Sequence, residues 1–295
     1  MQSLPPLDHL PSPLLSILIP AFNSKIGLLR VLKPLLLGDV ISRSSIEVVI
    51  SDDSPYPLLS GEEISQYSSK ISRFRYIHNV PPLGAVQNWN YLSSLCVGEY
   101  YWICHHDEYL GDPVLSVPVL LQQIRYTNSD IFIFPLLKSY RVGPFLLLQC
   151  HTPPIAILIR LLVCPAIIFF ANPIGPPSAL IIRSSSSILY DDRLRWFVDV
   201  DFYVKLFGDE SRTLSILPFS CRLISDQNFD QSITRSIAPE LLGIKAKEAN
   251  YLINAGTSAK LFSPSRAIVF AKFLLLILRT LRTRLSLFKR TPTND

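Results

Sequence analysis

The first half of the chain alternates short apolar runs with amphipathic stretches. Leu14–Pro20, "LLSILIP", is a continuous apolar run of strand length, as expected of a strand buried on both faces. Ile26–Leu37 spaces its apolar residues as a helix does, with Asn23 or Ser24 available as N-cap and Gly38 beyond its end. "IEVVIS" (Ile46–Ser51) is a second buried strand, and it stops at Asp52 and Asp53. A weak helix near Glu62–Lys70, a short strand at Phe74–Asn79 and a helix over Gly84–Cys96 follow. Tyr100–Cys104 is again a strand, Pro113–Tyr126 a helix and Ile131–Phe134 a strand. This alternation predicts a Rossmann-like α/β sheet, mixed but mostly parallel and flanked by helices. After about residue 225 the strand signal fades, and Pro239–Ile253 and Arg266–Phe288 read as helices. The chain therefore divides into an irregular, proline-rich leader (1–13), a main α/β domain (14–225) and a helical C-terminal appendage (226–295).

Composition narrows the class. At 295 residues with 48% apolar content the chain can bury a large core. No run of about 18 uninterrupted apolar residues marks a membrane span; the strongest rival, Ile155–Ala171, is broken by Arg160 and Pro165 and reads as core. No basic patch precedes an apolar segment at the N-terminus, so no secretory signal is visible. Cys96, Cys104, Cys150, Cys164 and Cys221 form no C-x-x-C pair, a pattern that fits free thiols in a reducing, cytoplasmic setting.

The net charge of +5 is uneven: from Lys260 onward there are eight Lys/Arg and one acid, Asp295. Arg266–Arg290 joins a short apolar stretch to this basic cluster, which suits a helix lying on the anionic inner face of a membrane. A helix packed on the core with a basic solvated face is the alternative. A nucleic-acid partner is disfavoured, because few aromatics interleave with the basic residues.

In open α/β sheets ligands gather at the carboxyl ends of the strands. That rule selects Pro20–Asn23, Asp52–Asp53 and His105–Glu108, and Asp199 and Asp201 open a further helical pattern in "RWFVDVDFYVKL". Each has a plain reading too: Asp favours turns after strands, and acids suit helix N-termini. The first strand turn reads "PAFNSK" without glycine, which argues against a dinucleotide-binding domain. Adjacent side chains at a strand end diverge, so His105 and His106 are poorly placed to grip one ion together. No HExxH spacing or cysteine partner supports zinc. One Asp together with phosphate oxygens suits Mg²⁺ or Mn²⁺.

Taken in order, "SILIPAFN", "EVVISDDS", "NVPPLGAVQNWNYLSSLCVGEYYWICHHDE" and "GPPSALIIRSSSSILYDDRLRWFVDVDFYVKL" resemble the motifs of family 2 glycosyltransferases of the GT-A fold. The resemblance covers about residues 14–225. It implies an inverting transfer of a sugar from a nucleotide-diphosphate donor to a saccharide or lipid-linked acceptor, as in surface polysaccharide or lipopolysaccharide assembly. On that pattern Pro20, Ala21 and Asn23 line the nucleotide pocket, Asp52 or Asp53 holds base and ribose, and Asn79, Gly84 and Asn88 border the donor. Asp107 falls on the last Asp of the family's DxD motif and becomes the metal ligand, the ion being Mg²⁺ or Mn²⁺. Asp199 matches the catalytic base, with Asp201 ranked second.

The pattern is broken at two points. His105 replaces the first Asp of DxD, giving H-x-D, and on the family pattern it would donate a hydrogen bond to the donor sugar or ribose; no His follows the last strand, where Arg222 and Asp226 are the nearest substitutes. These departures keep open a catalytically silent homologue that serves as a binding subunit. A metal-dependent hydrolase built on His105 and His106 is a further alternative.

Overall fold

The computed structural model describes residues 12–36, 44–151, 172–186, 188–209, 211–227 and 240–255. The leader up to residue 11, Ile155–Ala171, Cys164 and the basic tail Arg266–Arg290 lie outside them.

Seven strands form the main sheet: β1 (Leu15–Ala21), β2 (Ile46–Asp52), β3 (Phe74–His78), β4 (Tyr100–Ile103), β6 (Ile131–Ile133), β9 (Leu180–Arg183) and β10 (Leu214–Ile216). Their order is β10-β6-β9-β4-β1-β2-β3. Only β9 runs antiparallel to its neighbours, so the sheet is mostly parallel, as the alternation predicts. The apolar run of β1 is buried along its whole length because helices cover both faces. Ile17 and Ile19 pack towards α1 (Lys25–Leu35) and α4 (Pro113–Thr127). Leu18, between them, packs on the opposite face with Trp89 and Leu92 of α3 (Ala85–Ser94) and Phe202 of α5 (Val198–Gly208).

Local chemistry sets the helix starts. The Ser24 hydroxyl accepts from Gly27 N at 3.1 Å and caps α1. Helix α2 (Gly61–Ser68) opens with a capping box of Ser60 and Glu63. Gly27 also permits a close approach: a Cβ there would lie 2.8 Å from the His106 carbonyl oxygen. The first turn of α1 thus seats directly against the His105–Asp107 loop.

A second sheet, ordered β5-β11-β7-β8, is built from β5 (Glu108–Leu110), β11 (Leu223–Asp226), β7 (Leu136–Val142) and β8 (Phe145–Cys150). The β7–β8 hairpin occupies a stretch to which the sequence pattern assigns no strand. Its strands escape periodicity because β8 exposes Phe145, Leu146, Leu147 and Leu148 in succession, with no in–out alternation. The C-terminal appendage contributes α6 (Leu241–Asn254), close to the expected 239–253. Among the described residues no helix is long and apolar enough to cross a membrane.

Candidate active site

A cavity of about 740 Å³ opens where the carboxyl ends of β1, β2 and β4 meet the second sheet, a size typical of small-ligand sites. The HHDE stretch is the seam between the sheets. Strand β4 ends at Ile103 in the first, residues 104–107 turn, and Glu108 begins β5 in the second.

Of the residues singled out from sequence, Pro20, Ala21, Asp53, Gly84, Asn88, His105, Asp107 and Asp199 line this cavity. Asn23, Asp52, Asn79 and Asp201 do not. Asn23 holds a positive φ of 51° at the turn after β1, and its backbone N–H donates to the Ser54 hydroxyl at 2.8 Å. Asp52 is fully buried and committed inward, accepting from Ser54 N at 2.9 Å, Leu58 N at 2.8 Å and the Tyr76 hydroxyl. Asn79 donates to Asp53 Oδ1 at 2.6 Å and so holds a cavity residue from behind. Asp53 also accepts from Leu83 N at 3.1 Å and Gly84 N at 2.8 Å. Gly84 takes a φ of 82°, which only glycine adopts without strain. Asp201 turns away and pairs with Lys205 at 2.5 Å.

His105, Asp107 and Glu108 each bring one ligand atom to within 4.8 Å of the others. The His105 ring stacks on Trp89 with centroids 4.9 Å apart, which fixes its plane. Its Nδ1 faces Glu108 Oε2 at 3.4 Å, while Nε2 is buried with no hydrogen-bond partner among the described residues. Burial holds the imidazole below its ordinary pKa, so it is neutral despite the nearby acids. With the proton on Nδ1, the orphaned Nε2 presents a lone pair. A buried lone pair without a donor costs free energy unless a cation or donor meets it. Glu108 is anchored by the hydroxyls of Ser178 at 2.8 Å and Ser225 at 3.1 Å. His106 is set apart from this cluster, its ring hydrogen-bonded to the Pro20 carbonyl.

The carboxyl groups are strained electrostatically. Burial, then repulsion from Glu108, pushes Asp107 up to about 7. Burial likewise raises Asp199 to about 7, with His105 opposing the shift. Burial also raises Glu108, against the lowering effect of its two serine donors. Acids crowded in a buried cavity can serve as donors to a divalent cation, and one imidazole with two carboxylates fits Mg²⁺ or Mn²⁺ chemically. His105, Asp107 and Glu108 are therefore the residues that would hold such an ion.

Asp199 owes its place to the first turn of α5. Glu248 of α6 reaches across to that helix start, accepting from the backbone of Arg195 at 2.7 Å, Trp196 at 3.0 Å and Phe197 at 2.9 Å. Sequence reasoning misses Glu248, which sits mid-helix among ordinary charged residues 49 positions beyond Asp199. It also misses Lys138, Tyr140 and His151, which line the cavity from the hairpin. The alternation Leu136, Lys138, Tyr140 is the signal that would have found two of them.

Residues 16–149 match the family model described as glycosyl transferase family 2, which bears out the resemblance of the strand-end motifs. No curated protein sequence matches the chain. Among solved structures, S. aureus TarS 1–349 in complex with UDP-GlcNAc superposes with a TM-score of 0.56 at 17% identity, covering 75% of this chain and 60% of that one. The same TarS fragment without the nucleotide sugar gives 0.54 at 19% identity, covering 84% and 70%. Its complex with UDP gives 0.54 at 17%, covering 72% and 60%. The chain thus spans about three fifths of the TarS fragment in two of the three comparisons. At such identities the likeness speaks for the fold, which is the GT-A α/β architecture expected from sequence.

Proposed function

Taking the glycosyl transferase family 2 match over residues 16–149 as premise, we propose that the chain is an inverting glycosyltransferase using a nucleotide-diphosphate sugar. The observation that carries this reading is the single cavity joining a nucleotide-side wall to the acid cluster and Asp199. The TarS complexes with UDP and UDP-GlcNAc give the reading further support, since a related fold holds such ligands.

On this reading the acceptor hydroxyl meets Asp199. A free hydroxyl is far too weak an acid to ionise first, so the proton passes to the carboxylate as the oxygen attacks the anomeric carbon. That carbon's bond to the diphosphate oxygen breaks in the same step, its electron pair leaving with the nucleoside diphosphate. A base whose pKa stands near 7 is matched to this task around neutral pH. A divalent ion, if held by His105, Asp107 and Glu108, supplies positive charge for the leaving diphosphate. Asp53 and Asn88 shape the nucleotide end, and Asn88 Oδ1, buried with no partner among the described residues, is placed to accept from the donor. The acceptor is a saccharide or lipid-linked glycan of a surface polysaccharide or lipopolysaccharide. The exposed apolar strand β8, whose end delivers His151 to the cavity, suits a lipid-bearing substrate.

The test is a donor screen on the purified chain with UDP- and GDP-sugars and Mn²⁺, following donor hydrolysis and nucleotide binding. Binding with turnover that Asp199→Asn abolishes supports the enzyme. Binding with no turnover across the screen favours the silent homologue suggested by H-x-D. No binding of any nucleotide sugar sinks the reading.

A further inference from the structure

A leaving nucleoside diphosphate carries at least two negative charges near neutral pH, yet the cavity that would receive it is walled by acids. Asp53, Asp107, Glu108, Asp199 and Asp226 all line it; among the described residues the one lysine or arginine that does so is Lys138. The other basic side chains nearby are engaged elsewhere. Arg30 pairs with Asp226 at 2.8 Å and lies over the Tyr109 ring. Arg222 lies over Phe219, against Gly111, and does not line the cavity.

Sheet register fixes where Lys138 points. Glu108 of β5 is paired with Ser225 of β11, and Ser225 with Lys138 of β7. Residues paired across strands project from the same face, and neighbouring strands lie about 4.8 Å apart, so the Lys138 and Glu108 backbones stand about 10 Å apart. Leu136 and Tyr140, two positions to either side, also line the cavity, so this face of β7 is turned inward. On this face the small side chain of Ser225 stands between Lys138 and Glu108, leaving about two strand spacings between them. Lys138 is half-buried and makes no ion pair among the described residues. Burial first, and then the positive charge of Lys138, lowers the pKa of His151.

We propose that Lys138 is the diphosphate-binding cation of this site, facing the acid cluster across the phosphates and remaining with the nucleoside diphosphate as it leaves. The inference rests on the glycosyltransferase reading. It gives a protein without the late His of related sequences a second source of positive charge, on the hairpin. In the step itself the ammonium donates hydrogen bonds to phosphate oxygens and transfers no proton.

Inorganic pyrophosphate with Mn²⁺ is the probe, because it is independent of base and sugar. Calorimetry on the full chain is expected to show that Lys138→Gln weakens pyrophosphate and UDP or GDP binding by about 10- to 100-fold, the worth of a hydrogen bond to a charged group. Lys138→Arg should keep binding within about threefold, and Mn²⁺ affinity without pyrophosphate should match wild type in both variants. Wild-type pyrophosphate affinity should also fall more steeply with added KCl than that of Lys138→Gln. Equal pyrophosphate binding by wild type and Lys138→Gln overturns the role of Lys138 alone. A wild-type chain that binds neither pyrophosphate nor any nucleoside diphosphate overturns the glycosyltransferase reading as well.

Discussion

Two acid clusters sit at strand ends in this protein, and they are built in opposite ways. Asp52 ends β2 and Asp53 follows it, their oxygens met by donors: four backbone N–H groups, the Tyr76 hydroxyl and the Asn79 amide among them. Asp107, Glu108 and Asp199 gather instead where backbone donors are scarce, and burial raises the pKa of all three. The first cluster stabilises a turn through charge-assisted hydrogen bonds. The second is held together by the surrounding fold and, among the described residues, makes no ion pair with a lysine or arginine. An acid pair is structural or functional according to what donates to it, which the one-letter sequence does not display.

The comparison breaks most visibly at Asp199. Asp199→Asn is expected to lower transfer by 10²- to 10⁴-fold or more, the range of general base catalysis, while raising stability at alkaline pH. The sign follows from the folded carboxyl being pushed up to about 7 from an ordinary 3.8. The folded state then binds the proton more tightly than the unfolded chain, so stability falls as pH rises from about 4 through 7. At pH 8 the variant should melt several degrees above wild type, and at pH 4 the difference should vanish. Melting curves at the two pH values check this; a variant less stable at pH 8 contradicts the picture.

A divalent ion distinguishes the clusters next. Excess Mn²⁺ should stabilise wild type by about 2.7 kcal/mol at a hundred times its Kd, and the imidazole nitrogen should favour Mn²⁺ over Mg²⁺. His105→Ala and Asp107→Asn should remove the thermal shift, whereas Asp53→Asn should preserve it. A shift that survives both cluster substitutions would place the ion elsewhere.

Asp53→Asn should act through stability instead. Its amide would present an N–H where the Leu83 and Gly84 N–H groups, or the Asn79 amide, now donate. A cost of about 1–3 kcal/mol is expected, as for a buried donor left unmet, readable from urea unfolding at constant m-value. An Asp53 variant as stable as wild type would show that this cluster is not structural.

Much of this was legible in the sequence because β1, β2 and β4 are long apolar runs ended by polar residues, and because α1 and α3 carry regular apolar spacing. The positions of Pro20, Asp53 and Asp107 at one cavity follow from that order, whereas Asp199, on α5, was reached through the resemblance of "RWFVDVDFYVKL". The second sheet was not legible. Its strands β5 and β11 are three or four residues long, and β8 offers exposed leucines where alternation is expected. Asp52 and Asp53 look alike as letters, and only the inward turn of Asp52 towards Ser54, Leu58 and Tyr76 tells them apart. Long-range partners such as Glu248 leave no local pattern at all.

Glu248 gives the smallest effect and the most specific one. Its carboxylate meets the three N–H groups that precede α5, so the C-terminal helix caps the element that carries Asp199. A carboxylate at a helix N-terminus is stabilising through both its hydrogen bonds and the helix dipole. Glu248→Gln keeps the size and one acceptor oxygen but loses the charge, at a cost of about 1 kcal/mol. If α6 serves only stability, turnover per folded molecule will be unchanged. If it aims Asp199, kcat should fall several-fold while nucleotide binding stays constant, because a misplacement of about 1 Å is costly in the transition state and not in the ground state. Steady-state kinetics beside pyrophosphate calorimetry on the same preparation separates these outcomes, and unchanged kcat in a destabilised variant would confine Glu248 to the fold.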